Sequence, residues 1–292
     1  MKSFVIGLTV LLGFTFTQPV YAQDGAKGKI PIVSGQKIAF LGDSITAAGA
    51  KPAGYCQLVL AGLKKEGIEV AGIFAGISGH KSNQMLDRLE KDVLSKKPGW
   101  MILSCGVNDV WHSNRGRGVK LEDYKTNITA IVDRAQDQGV KVMLLTSTMI
   151  YEDQSGDLNQ KLIPYNAFLK KLAKSNGCLL ADLNTDMQEA LKKFPKDAPK
   201  GNKLTGDGVH MNAYGNMMMA KGILKSFGMS ESKFSALVKE WKNIPGGKHL
   251  RFRLSLSMSQ NEYEYLQSKL DKPLQQIFQE FLNQKKEELL KK

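Results

Sequence analysis

The sequence predicts an α/β fold built on a largely parallel sheet. Short apolar runs alternate with longer amphipathic stretches, which is the pattern of repeated βα units. The runs are apolar throughout, as in Val142-Met143-Leu144-Leu145, and this fits strands covered on both faces. Two polar groups, Ser44 and Asn108, follow the ends of such runs, where doubly wound sheets place their working loops.

In chain order, Lys37 to Leu41 is the first strand and leads into Gly42-Asp43-Ser44. A helix follows over Tyr55 to Lys65, then a strand over Val70 to Phe74. Met85, Leu86, Leu89 and Val93 fall on one helical face. Trp100 to Ser104 is the third strand and stops at Gly106. Tyr124, Ile128, Ile131, Val132 and Ala135 mark a helix before a strand over Val140 to Thr146. Ile163, Phe168, Leu169 and Leu172 suit another helix before a short strand, Cys178 to Ala181. A last core helix spans Ala213 to Phe227.

Both ends of the chain read differently. Lys2, the uncharged stretch from Phe4 to Phe16 and the small-residue pattern of Val20-Tyr21-Ala22 have the layout of a secretory signal, cut after Ala22. A secreted or periplasmic product is therefore expected. The apolar stretch is short for a bilayer span, and no later one is longer, so no stable membrane span is expected. Removing residues 1–22 leaves 270 of the 292, divided here into a linker over 23–35, one catalytic domain over 36–244 and an accessory segment over 245–292.

In the accessory segment, Pro245-Gly246-Gly247 breaks the chain. Leu250, Phe252, Leu254 and Leu256 then alternate with polar residues as in a half-buried strand. Ser259 with Glu262 has capping-box spacing before a helix faced by Tyr263, Leu266 and Leu270. Pro273 opens a second helix, on which Leu274, Ile277, Phe278 and Phe281 form another apolar stripe. The expected tail is a strand-helix-helix extension outside the catalytic fold. Its stripes need cover, from the main domain, a membrane surface or self-association with a second copy.

Three cysteines, Cys56, Cys105 and Cys178, lie in apolar stretches without metal-binding spacing. They read as buried thiols, or as one pair with an odd one over. The formal charge of +13 includes a denser patch of Lys192, Lys193, Lys196, Lys200 and Lys203. With neither a zinc-finger spacing nor an aromatic-basic motif beside it, this charge reads as a solvated basic face, with no nucleic-acid partner.

The residues able to do chemistry fall in four short blocks. Gly42-Asp43-Ser44-Ile45-Thr46, between strand and helix, makes either a capped turn or a nucleophile raised into solvent. In Asp207-Gly208-Val209-His210 one tight loop aims a carboxylate and an imidazole at one place, as a serine base requires. Gly79, in Gly76-Ile77-Ser78-Gly79, offers a backbone N–H with no side chain in the way, and Asn108, in Gly106-Val107-Asn108-Asp109, offers an amide. Singly, each is also explained as a turn. No Gly-x-Ser-x-Gly elbow is present, which removes the usual support for an α/β-hydrolase.

Taken in order, the four blocks resemble those of the SGNH hydrolases, also called GDSL esterases/lipases, over roughly residues 36 to 228. The resemblance implies a flavodoxin-like three-layer α/β/α sandwich and ester hydrolysis through an acyl-enzyme, without metal or cofactor. It implies Ser44 as nucleophile, His210 as base and Asp207 as its orienting acid. The oxyanion hole would comprise the Ser44 and Gly79 N–H groups and the Asn108 amide.

Trp111 and His112, directly after the third block, are candidates for the substrate mouth, and His80 for a contact with the leaving group. Asp43 is expected to fix the nucleophile turn and Asp109 the loop beside it. His249 lies beyond the resembling region and has no assigned role. The run from Gly106 to His112 is similar to bacterial carbohydrate-active members and favours an O-acetyl sugar ester. The alternatives are a short-chain lipid esterase and a non-catalytic carbohydrate-binding module that has kept the fold.

Overall fold

In the computed structural model of the chain, residues 30–194, 202–244 and 260–290 are described. Five strands form one all-parallel sheet: β1 (Lys37–Gly42), β2 (Ala71–Gly76), β3 (Trp100–Ser104), β4 (Lys141–Leu145) and β5 (Leu179–Ala181). Their order is β2-β1-β3-β4-β5. The chain thus leaves β1 toward one edge, returns for β3, and fills the other side in sequence. That reversal is the switch point where open α/β sheets bind ligands. Gly42 of β1 pairs with Gly76 of β2 and Ser104 of β3, so these three strands end level and release their loops on one rim.

Eight α-helices among residues 30–194 flank or follow this sheet. They are α1 (Ser44–Gly49), α2 (Tyr55–Lys65), α3 (Ser82–Asp87), α4 (Leu89–Asp92), α5 (Val107–Trp111), α6 (Leu121–Asp137), α7 (Asp157–Ser175) and α8 (Leu183–Lys192). After residue 201 come α9 (Ala213–Ser226) and α10 (Phe234–Trp241). α2 packs with α9, and α9 with α8 and α10; α3 packs with α6, and α6 with α7. These two groups cover the sheet on its two sides and complete the expected three-layer sandwich. Phe40, Met101, Ile102 and Leu144 are fully buried between them, as the unbroken apolar strands require.

Several elements depart from the sequence reading. β2 begins after Val70 and continues through Ala75 and Gly76, because pairing with β1, not side-chain bulk, extends it. A Cβ on Gly76 would lie 2.3 Å from the Ala47 nitrogen, so this glycine lets α1 sit against the strand end. The single helical face expected from Met85 to Val93 is interrupted at Arg88. There the guanidinium donates to the Gly42 carbonyl at 2.9 Å and pairs with Asp92 at 3.0 Å, tying the break to the end of β1. Leu169 and Leu172 of the face expected for α7 are buried, but Ile163 is exposed, and Leu158, Leu162 and Tyr165 face inward in its place. Ile32, in the segment read as a linker, is buried against the core.

Three helices were not expected, the first of them α5 across the Gly106 block. α8 buries Leu183 and Met187, and α10 buries Phe234, Leu237 and Trp241, so the helix at Ala213 is not the last in the core. The three cysteines are free and buried.

The chain divides into two units, Met1–Arg251 and Phe252–Lys292. In the second, α11 (Gln260–Ser268) and α12 (Leu274–Leu290) follow in the expected order. The Pro273 carbonyl accepts from the Gln276 and Ile277 N–H groups at 2.8 and 3.2 Å, so proline does open α12. Tyr263, Leu266 and Phe281 are exposed. The expected signal segment, the Pro245-Gly246-Gly247 break, the strand over 250–256, Ser259 of the capping box, His249, and Lys196 and Lys200 of the basic patch lie outside the described residues.

Trp241 tests whether α10 belongs to the core, because its ring is 1% exposed at the helix end. Trp241→Ala is expected to lower stability by about 3–5 kcal/mol, read as a lower urea midpoint at unchanged slope. An unchanged midpoint would place α10 outside the cooperative unit.

Candidate active site

Where β1 ends, Asp43 caps α1: its Oδ1 accepts from the Ile45 N–H at 2.8 Å. The next residue, Ser44, opens the helix and is partly exposed, whereas Asp43 itself is 2% exposed. The turn expected of Asp43 is therefore the one observed, and it leaves the Ser44 hydroxyl at the surface.

The second half of the site is a tight loop. Thr205 and Met211 form an antiparallel bridge, and the Gly206 N–H donates to the His210 carbonyl at 2.8 Å. Within the loop Asp207 Oδ1 accepts the Val209 and His210 N–H groups at 3.0 and 2.8 Å, and Gly208 takes a φ of 97°. The three-residue spacing works because one carboxylate oxygen folds the turn and leaves the other free. That oxygen, Oδ2, lies 2.7 Å from His210 Nδ1, and His210 Nε2 lies 2.8 Å from Ser44 Oγ. Three groups from opposite ends of the domain thus form one hydrogen-bonded line.

Partial burial would raise the Asp207 carboxyl. The His210 N–H and ring and the Val209 N–H outweigh it and hold the group below the usual carboxylate range. Asp207 consequently stays ionised beside the imidazole at neutral pH.

The third side comes from β2 and β3. Asn108, near the start of α5, is 3% exposed and donates to the His80 carbonyl at 3.1 Å. Its amide nitrogen also lies 3.5 Å from Asp43 Oδ2, so it bridges the Gly79 loop and the Ser44 turn. Gly79 has a φ of 78°, and a Cβ there would meet nothing within 4 Å, which leaves open space above its backbone. The N–H groups of Ser44 and Gly79 find no acceptor among the described residues. They are donors in want of an oxygen.

Beneath this surface Asp109 is 1% exposed and accepts from the Ser82 N–H and hydroxyl at 3.0 and 2.6 Å. It fastens α5 to the start of α3, the structural role expected of it, and burial pushes its carboxyl upward.

The mouth residues are placed less uniformly. Trp111, at the end of α5, lies 5.9 Å from the His112 ring and 6.5 Å from Tyr151. Neither His80 nor His112 hydrogen-bonds to Ser44, Asp207 or His210 among the described residues. Burial lowers the affinity of His80 for a proton, helped by Arg88 and Lys81 against a weaker opposing pull from Asp92. Burial also lowers His112, helped by Lys81, Arg117 and Arg115. His80 contributes its backbone carbonyl to Asn108, and its ring is no part of the line.

Glu152 escaped the sequence reading. Its Oε2 accepts from the Lys203 N–H at 2.6 Å, and its Oε1 from the Leu204 N–H, the Thr205 N–H and the Thr205 hydroxyl, each at 2.8 Å. The Thr205 hydroxyl in turn accepts from the Gly208 N–H at 3.1 Å. One carboxylate therefore anchors the start of the Asp207–His210 loop. Asn212 holds the other end, accepting from the Gly215 N–H at 3.0 Å and donating to the Lys203 carbonyl at 2.9 Å. Asn212 had a readable signal, an Asn just before a predicted helix. Glu152 had none beyond following a strand end.

Residues 40–218 match the model of the GDSL-like Lipase/Acylhydrolase family. An acetylxylan esterase of Geobacillus stearothermophilus is 28% identical over 217 residues, spanning 68% of this chain and 96% of that protein. A crystal structure of an acetylxylan esterase from that organism superposes with a TM-score of 0.61 at 26% identity, over 68% of this chain and 97% of its own. A second solved structure, the acetyl xylan esterase AlAXEase, gives a TM-score of 0.60 at 37% identity, over 65% of this chain and 98% of its own.

The buried Asp43 carries a pH signature. Burial is the largest influence and, with the Asp109 charge, outweighs the Ile45 N–H and the His210 charge, so the carboxyl is pushed up to about 6. A folded pKa above the unfolded value means that the folded state binds the proton more tightly. The associated stability is fully present below about pH 3.9 and is lost as pH rises through about 6. Relative to Asp43→Asn, the unchanged protein should therefore gain about 2 kcal/mol on going from pH 7.5 to pH 4.5, measured by urea unfolding of both at each pH. A difference independent of pH would return Asp43 to an ordinary carboxylate.

Proposed function

The chain belongs to the GDSL-like lipase/acylhydrolase family, and on that premise we propose that it is a serine carboxylic-ester hydrolase that removes acetyl groups from a carbohydrate. The observation carrying this reading is the Asp207–His210–Ser44 line, with its 2.7 and 2.8 Å contacts beside two N–H groups that have no acceptor among the described residues. The acetyl-sugar preference is supported by the two acetylxylan esterases that align over about two thirds of the chain.

In the reaction, the Ser44 oxygen adds to the ester carbonyl while its proton passes to His210 Nε2. Asp207 retains the proton on Nδ1 and stabilises the imidazolium by its charge. The carbonyl oxygen becomes an oxyanion and accepts from the Ser44 and Gly79 N–H groups. Asn108 gives a third bond: one amide hydrogen stays on the His80 carbonyl at 3.1 Å, and the second exchanges its long 3.5 Å contact with Asp43 for the substrate oxygen. Collapse breaks the bond to the alcohol, which departs with the proton from His210 and leaves the acyl group on Ser44. Water then gives its proton to His210 and attacks the acyl carbon. Return of that proton to Ser44 frees the acid and restores the enzyme.

Residues 1–22 serve in this proposal as an export signal, which places the enzyme outside the cytoplasm with its polymeric substrate; N-terminal sequencing of the exported protein should begin at Gln23. Residues 245–292 are assigned no part in acyl transfer, because Ser44, Gly79, Asn108, Asp207 and His210 all precede them.

A panel of acetylated xylo-oligosaccharides and p-nitrophenyl esters of graded chain length tests the reading. It would be run on the full mature chain, on Ser44→Ala and on a chain ending at Ile244. The expected outcome is preference for acetyl esters, activity retained in the shortened chain, and a loss of about 10³-fold or more in Ser44→Ala. Preference for long acyl chains would replace the carbohydrate reading with a lipolytic one. A folded but inactive shortened chain would show that the tail completes the site.

A further inference from the structure

We propose that Tyr151 and Trp111 form an aromatic corner that holds the sugar ring of the substrate beside the Asp207–His210 loop; this rests on the carbohydrate-ester reading above. Tyr151 is a large side chain with 48% of its surface exposed, and its backbone is left-handed, with a φ of 62°. A bulky residue is an outlier in that region, where glycine would sit without strain. Such a conformation persists only when its surroundings over-determine it.

The surroundings here do so. The Tyr151 N–H donates to the Gly208 carbonyl at 2.7 Å. Asn159 accepts from the Ile150 N–H at 2.8 Å and donates to the Ile150 and Tyr151 carbonyls at 2.9 and 3.1 Å. The next residue, Glu152, is fixed by its bonds to residues 203–205. The strap thus clamps the backbone on both sides of Tyr151 and leaves the ring exposed.

The ring's position relates it to the reaction. A Cβ on Gly208 would lie 2.5 Å from Tyr151 Cδ1, so the tyrosine ring rests directly on the turn between Asp207 and His210. Its other neighbour is Trp111, 6.5 Å away at 87°. Trp111 ends the same short helix that begins next to Asn108. The two rings therefore join the wall carrying the proton relay to the wall carrying the oxyanion amide. Perpendicular aromatic faces make a corner suited to a pyranose, whose C–H face packs on one ring while its edge meets the other. Aromatic side chains also supply rigid contact area with little rotamer entropy to lose.

Tyr151→Ala, Tyr151→Gly and Tyr151→Phe separate this role from support of the loop. Gly removes the ring and relieves the backbone; Phe keeps the ring. kcat and KM would be measured on an acetylated xylo-oligosaccharide and on p-nitrophenyl acetate, per active site titrated with a phosphonate. In the Ala and Gly variants kcat/KM on the sugar ester is expected to fall about tenfold further than on p-nitrophenyl acetate, mainly through KM, the size of one lost aromatic contact. Tyr151→Phe is expected to keep most of the discrimination. Equal losses on both esters, or none on the sugar ester, overturn the proposal while leaving the carbohydrate esterase intact. An unchanged protein that cleaves p-nitrophenyl acetate but no sugar ester defeats the carbohydrate reading, and the corner with it.

Discussion

The arrangement depends on one hydrogen bond, the 2.8 Å contact between His210 Nε2 and Ser44 Oγ. Its partners arrive on unrelated parts of the chain, one on a helix start beyond a central strand and the other on a loop between helices. A displacement of an ångström in either would break this contact. Much of the surrounding structure acts to prevent that displacement. On the serine side, Asp43 caps the turn, Gly76 admits α1 against the sheet, and Arg88 grips the Gly42 carbonyl. On the histidine side, Glu152 and Asn212 fasten the loop at its start and end, and Tyr151 takes its central carbonyl.

The carboxylates beneath the site are buried, which has a cost. Asp43 and Asp109 are carboxylates almost without solvent, and burial destabilises their charged forms. The cost is offset in part by the hydrogen bonds each accepts from backbone and hydroxyl donors. In return the layer under the site has little freedom to relax. Asn108, between the His80 carbonyl and Asp43, is oriented by this layer before any substrate arrives. A donor held in this way needs little rearrangement to meet an incoming acceptor.

The hydrogen-bonded line of Asp207, His210 and Ser44 was legible in the sequence because it is built from local patterns. Asp207 and His210 sit three residues apart on a loop that Asp207 itself folds, and Ser44 follows a strand whose apolar run is unbroken. β3 and α2 were read with their observed ends for the same reason, being decided by composition along the segment. What could not be read acts at a distance. Glu152 works on backbone N–H groups some fifty positions later, which leave no mark on side-chain pattern. The break at Arg88 follows a tertiary bond to Gly42, and β2 extends through Gly76 because β1 pairs with it. α8 and α10 are short, and few apolar positions distinguish them from loops until the partners they cover are known. Tyr151 shows the same limit, since its unusual φ depends on Asn159 and Gly208 and not on its neighbours in sequence.

The central claim is that the hydrogen-bonded line makes Ser44 a nucleophile. Intact-mass and peptide mass spectrometry after exposure of the folded protein to an alkyl fluorophosphonate tests this directly. The account predicts one phosphonyl group per chain, on the peptide containing Ser44, with no labelling after unfolding in urea. A folded protein that takes up no phosphonate, or takes it up on another residue, would contradict it.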